Sequence, residues 1–221
     1  MSEGPDKFQW NLTKNGKFSV DSMYRVLILP EIPVDSPNNN KLWKIKIPLK
    51  IKVFAWYLRR GVILTKDNLA KRNWHGSKKC VFCQHDETIT HLFFQCEFAR
   101  SIWSAIQIGS TLHPPSSVAN IFGNWLNGVD PWFKLFSRVG AIAVIWSLWL
   151  CRNDKVFNDI NSSLMQVIYR CTATLRAWSS LQRVEQRDLF LEAASRLEAA
   201  ARELLSRHGW QHRLRIDLPA P

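Results

Sequence analysis

Three cysteines and a histidine, Cys80, Cys83, His91 and Cys96, fall within seventeen residues as Cys-x2-Cys-x7-His-x4-Cys. Zinc takes four soft or borderline ligands at the corners of a tetrahedron, and a Cys-x2-Cys knuckle supplies two of them from one tight turn. His91 and Cys96 must then return from the far side of a short loop. A helix starting at Glu87 or Thr90 would carry His91 in its first turn and Cys96 five positions on. That step is about 140° round a helix of roughly 3.6 residues per turn, so both can reach one metal only if the helix breaks or bends near Cys96. With four protein ligands and no place for water, the series predicts one structural Zn²⁺ ion.

Other uses of these thiols fit the flanks less well. A redox dithiol would need a strand-to-helix setting, whereas Cys80 and Cys83 sit in Lys-Lys-Cys-Val-Phe-Cys-Gln-His. Five cysteines in 221 residues, behind an N-terminus unlike a secretory signal, argue against a disulfide framework. Cys151 and Cys171 lie in apolar helical stretches and read as buried thiols. His85 is the nearest competitor of His91 for the fourth ligand position. The longest apolar run, Val139 to Cys151, is thirteen residues and ends on Arg138 and Arg152, too short to span a bilayer. The expected setting is nuclear or cytoplasmic, with neither membrane nor small-molecule substrate.

Charge is the second constraint. Residues 41–79 hold twelve Lys or Arg and one acid, a net of +11, against +12 for the whole chain. A basic segment interleaved with aromatics attracts a phosphate backbone, although many such stretches are only solvated helix faces. Beside a metal knuckle, RNA or DNA is the favoured partner. Lys44, Lys46, Lys50, Lys52, Arg59, Arg60, Lys71, Arg72, Lys78 and Lys79 would then meet phosphate, and Trp74 or Phe82 would stack on unpaired bases.

The spacing predicts a mainly α fold with a small N-terminal β-hairpin, the zinc knuckle and a long C-terminal helix. Residues 8–12 and 17–20 alternate about Asn15-Gly16, a hairpin signal, and a short helix follows with Met23, Tyr24, Val26 and Leu27. Residues 31–40, rich in Pro and Asn, read as a linker. Pro48 opens a helix ending at Arg60 with Gly61 as its cap, and Ile51, Phe54, Ala55 and Leu58 share one face. Thr65 caps a further turn, and Phe98, Ile102, Trp103 and Ile106 form another stripe. Four segments result: 1–37, 38–110 with the knuckle, a Trp-rich helical region over 111–184, and an Ala/Arg/Glu-rich helix with a loose tail over 185–221.

In order, the stretches FSVDSMY, LWKIKIPLKIKVFAWYLRRG, TKDNLAKRNW, CVFC, HLFFQC and FARSIW resemble the plant reverse-transcriptase zinc-binding domain. That domain lies near the C-terminal end of proteins encoded by LINE-type (non-LTR) retrotransposons. Downstream, IWSLWLCRNDKVFND resembles the Trp-x-x-Trp-x-x-Arg-Asn segment that commonly follows it. The likeness runs over about residues 8–160, with the zinc domain at about 18–106. It implies that Cys80, Cys83, His91 and Cys96 are the zinc ligands, and it adds indirect support for nucleic-acid binding.

Polymerase and nuclease chemistry needs clustered carboxylates to hold metal ions. The chain has no Tyr/Phe-x-Asp-Asp signature, and its only adjacent acids are Asp86 and Glu87 inside the zinc loop. No acidic set suggests a ribonuclease H domain, so the expectation is a non-catalytic protein. The C-terminal part departs from the family pattern: no lysine follows Lys155, while nine arginines do. A helix is expected from about Ser162 to Arg207, bent near residue 184. Its seam would be Leu189, Ala193, Leu197, Ala200 and Leu204, with Glu192–Arg196 and Glu198–Arg202 as i, i+4 pairs. That helix could meet a reverse transcriptase or another protein. The alternative to nucleic-acid binding is a scaffold or retroelement relic in which zinc only stabilises the fold.

Overall fold

In the computed structural model of the chain, residues 9–11, 13–20, 22–23, 39–110 and 112–208 are described. They fall in two compact units, residues 1–41 and 42–221. In the first, Asn15-Gly16 does make a turn, with Gly16 at a φ of +63°, but no strand flanks it among the described residues. The Trp10 backbone N–H donates to the Gly16 carbonyl at 2.9 Å. Its indole N–H donates to the Ser22 hydroxyl at 2.7 Å, and Phe18 meets the ring edge-on at 4.9 Å. The expected hairpin is therefore corrected to an irregular loop gathered round Trp10. Two segments this short, with no further strand among the described residues, make too few ladder bonds to hold a sheet. Most of the expected short helix and linker, and the tail beyond residue 208, lie outside the described residues.

The second unit is helical. Helix α1, Asn39–Lys44, runs across the boundary at residue 41, and α2 spans Leu49–Arg59. On α2 the buried residues are Ile51, Phe54, Ala55 and Leu58, the face expected from their spacing. The helix ends in a Schellman motif, since the Gly61 N–H donates to the Leu58 carbonyl and the Val62 N–H to that of Tyr57. Gly61 sits at a φ of +71°, where a side chain would be strained. Short α3 (Lys66–Ala70) follows. A π-helical turn, His91–Gln95, then runs into α4 (Glu97–Ser110), which buries Phe98, Ala99, Ile102, Trp103 and Ala105. Ser117 caps α5 (Val118–Phe122) through its hydroxyl.

Helix α6, Pro131–Asn158, is about 42 Å long. It is apolar enough to cross a membrane by length and composition alone. Here Val139, Ala141 to Ile145, Leu148 and Cys151 are buried in the same core as α2 and α4. Helices α7 (Leu164–Ser179) and α8 (Val184–His208) pack against each other, against α4 and, for α7, against α6. The single C-terminal helix expected from the sequence is thus two. Ser163 and Gln166 form a capping box that starts α7. At the corner, the Leu181 and Gln182 N–H groups turn back to the Trp178 and Ser179 carbonyls.

The α8 seam is also displaced from the expected one. Gln186, Phe190, Ala194, Leu197 and Ala201 are buried, whereas Leu189, Ala193 and Ala200 are only partly so. Large Phe190, set edge-on against Phe136 at 5.0 Å, decides which face turns inward. Glu192 pairs with Arg196 as expected. Glu198 reaches across to Arg176 of α7 instead of along its own helix to Arg202, because its side chain faces the neighbouring helix.

Candidate metal centre

The knuckle is closed by two short arms. The Glu87 N–H donates to the Lys78 carbonyl and the Cys80 N–H to the His85 carbonyl, each at 2.8 Å, which makes an antiparallel bridge between Lys79 and Asp86. Cys80 and Cys83 lie at the end of this clasp. The return arm delivers His91 through Thr88, whose hydroxyl accepts from the His91 N–H at 3.0 Å.

His91 and Cys96 then meet the geometric demand read from their spacing. The Cys96 N–H donates to the His91 carbonyl at 2.7 Å, an i→i+5 bond that widens the turn. A wider turn brings a five-residue step nearer to one full revolution. At Cys96 the chain leaves the helix, with φ −57° and ψ 136°. The Trp103 indole N–H fastens the widened turn to α4 by donating to the buried Phe93 carbonyl at 2.7 Å.

The four ligand atoms of Cys80, Cys83, His91 and Cys96 all lie within 4.8 Å of one another. Cys80 Sγ is 4.0 Å from Cys96 Sγ, which is 3.8 Å from Cys83 Sγ. His91 Nε2 is 3.0 Å from Cys83 Sγ. A tetrahedron with metal–sulfur bonds of about 2.3 Å has edges of about 3.8 Å, so three soft sulfurs and one imidazole here fit zinc in kind and in spacing. His85 stays outside this group, exposed, its ring 5.5 Å from that of His91.

Without metal, the Cys80 thiol is held well above its ordinary value by Cys96 beside it and by burial. Burial does the same to Cys83, and it lowers the His91 imidazole. Crowded neutral thiols facing one another are what a dication would convert to thiolates. Cys151 and Cys171 are free and buried elsewhere in the core.

The feature that sequence reasoning missed is Glu87. It lies between the second and third ligands and is fully buried. Its carboxylate accepts the Lys66 N–H at the start of α3, 3.0 Å away. It also takes Arg152 of α6, whose Nη2 and Nε donate to Oε1 at 2.8 and 3.2 Å. Arg152 is itself buried and lies over the Trp149 ring at 5.2 Å. Sixty-five residues separate this pair, and no short-range spacing announces it. The available signal was circumstantial: an acid inside the zinc loop, and an arginine after thirteen apolar residues.

The basic residues are distributed as follows. Lys44, Lys46 and Lys50 are exposed, and Lys52 and Arg59 of α2 and Arg60 just past its end are partly buried. Several of these charges rest on nearby groups. Lys52 Nζ donates to the Trp43 carbonyl, Lys50 lies over Trp146, Arg59 over Phe122, and Arg60 over Trp56 at 4.4 Å. Residues 71–79, KRNWHGSKK, are exposed without interruption. Within them Lys71 pairs with Asp67, and Lys79 with Asp86 at 3.0 Å. Trp74 lies close against Gly76, where an added Cβ would sit 2.0 Å from the ring. Phe82, by contrast, is stacked on Phe98 at 4.6 Å, which removes that face from the expected base-stacking role.

A Cys₃His cluster closed by four protein donors, on a helical scaffold, defines a structural zinc module. Residues 18–103 match the family described as zinc-binding in reverse transcriptase. A protein of Arabidopsis thaliana, provisionally named a ribonuclease H protein, is 25% identical over 168 residues, 70% of this chain and 26% of that protein. The chain therefore spans about a quarter of that relative's length. No solved structure matches it.

Proposed function

We propose that this protein is a non-catalytic, zinc-held module of retrotransposon origin that binds RNA or DNA through residues 41–79. The observation that carries this reading is the uninterrupted exposed run 71–79, which joins Lys71, Arg72, Lys78 and Lys79 to an indole immediately before the first zinc ligand. Trp74 backed by Gly76 offers a flat apolar face, and base stacking on such a face is sequence-tolerant. Arg72 and Lys78 bracket it and are the side chains best placed for phosphate.

Non-catalysis is part of the proposal. Among the described residues, the one group of three or more Cys, His, Asp or Glu side chains close enough to share a metal is the Cys₃His cluster. Buried Cys151 and Cys171, both free thiols, suit an intracellular setting. A scaffold role is the alternative, and the pairing of Lys71 and Lys79 with nearby acids is the observation that favours it.

Binding of the zinc-loaded protein to mixed-sequence single-stranded RNA and to duplex DNA across a salt series tests the proposal. The expected slope of log K against log salt is about −0.7 per phosphate contacted on a single strand. Arg72→Ala with Lys78→Ala should make that slope shallower, and Trp74→Ala should weaken binding without changing it. A folded, zinc-replete sample that binds neither nucleic acid at low salt would leave the scaffold reading.

A further inference from the structure

We infer that Arg152 is a positioning residue of the zinc site, acting through Glu87, so that the unit that holds the metal extends beyond residue 103 into α6. The zinc cluster is completed by residue 96, yet the loop between its second and third ligands is fixed from outside that segment.

Glu87 is gripped from three directions. Its N–H is bound to Lys78 and its carbonyl accepts the Asp67 N–H. Its carboxylate is shared between the Lys66 N–H and the Arg152 guanidinium. Glu87 lies four positions from Cys83 on one side and from His91 on the other, and its backbone is part of the clasp that presents Cys80. Displacing this side chain therefore moves both halves of the ligand set.

Arg152 can hold it because the pair is dry, with side-chain exposures of 3% for Arg152 and 0% for Glu87. A carboxylate buried without its cation is driven toward water, and the route to water for Glu87 is to pull the zinc loop open. Groups that orient metal ligands from behind commonly shift metal affinity by about 10–100-fold when removed.

The test is competition between the 221-residue chain and a chromophoric chelator for zinc, together with the absorption spectrum of the cobalt-substituted protein. Arg152→Met should lower zinc affinity by about 10–100-fold and alter the cobalt bands. The double variant Glu87→Gln/Arg152→Met, which leaves no buried charge, should regain most of the affinity. Phe190→Leu, a core change in α8 outside the zinc loop and set against Phe136, should lower the melting temperature while leaving affinity and cobalt bands unchanged. If Arg152→Met does not fold, Arg152→Lys serves in its place, keeping the charge while losing the forked contact, and should show an intermediate loss. Wild-type affinity in the folded arginine variant overturns the inference. So does an equal loss in Phe190→Leu, which would mean that affinity follows overall stability and not this pair.

Discussion

At the scale of single residues, the zinc cluster is governed by protons. Cys80 and Cys83, with thiols raised above the ordinary value of 9.0, are protonated at neutral pH and must lose those protons to bind metal. His91, lowered by burial, is already neutral there. Apparent zinc affinity should therefore rise with pH, by about tenfold per unit for each proton released, and so at least a hundredfold per unit between pH 6 and 8. Chelator competition across that range measures the slope, and a flat profile would exclude thiolate ligation. This much was readable in advance, because ligand spacing is a short-range property and the Cys-x2-Cys-x7-His-x4-Cys order carries it. The i→i+5 bond at Cys96 was implied by the 140° discrepancy without being specified by it. Glu87 and Arg152 were beyond reach, since their meeting depends on how α6 crosses the knuckle.

Helices made their strongest sequence signal where one face alone is buried. The Ile51, Phe54, Ala55, Leu58 stripe of α2 and the Phe98, Ile102, Trp103 stripe of α4 are of this kind. The C-terminal pair was harder to read. Residues 162–207 contain no proline or glycine to mark the break, and the corner at 180–183 is set by tertiary docking: Gln182 Nε2 donates to the Lys46 carbonyl at 2.6 Å. Across the α7–α8 interface, Arg176 and Thr172 hold the Glu198 carboxylate, and the Arg176 hydrogen bond keeps its pKa below the ordinary 4.5. A lowered carboxylate stabilises the fold above its unfolded pKa, and that contribution is lost as pH falls through the folded value. Glu198→Gln should thus cost about 1 kcal/mol near neutrality, modest because Arg176 is half-open to solvent. The gap between wild type and variant should be smaller in acid, below the ordinary 4.5, than near neutrality. Urea melts at the two pH values decide it, and a gap that persists in acid would locate the effect elsewhere.

In the second unit the zinc cluster and the long helices meet in one apolar core, to which Cys80, Phe93 and Cys96 also belong. The zinc ion closes residues 78–97, while α4, α6, α7 and α8 share an apolar core with Ile102, Leu148, Leu175 and Phe190 among its members. Chelation at neutral pH is accordingly expected to lower the melting temperature while leaving most of the far-ultraviolet helical signal. Circular dichroism before and after chelator, with zinc added back, is the measurement; loss of nearly all helicity would mean that the knuckle nucleates the entire unit. The Glu87–Arg152 pair also sets an order of events during synthesis. Cys96 leaves the ribosome 56 residues ahead of Arg152, a lead of about 3–11 s at 5–20 residues per second. Through that interval the nascent knuckle carries a carboxylate with no arginine to bury it. An ion bound in that interval would sit in a loop still open to water, and α6 would be the element that seals it in.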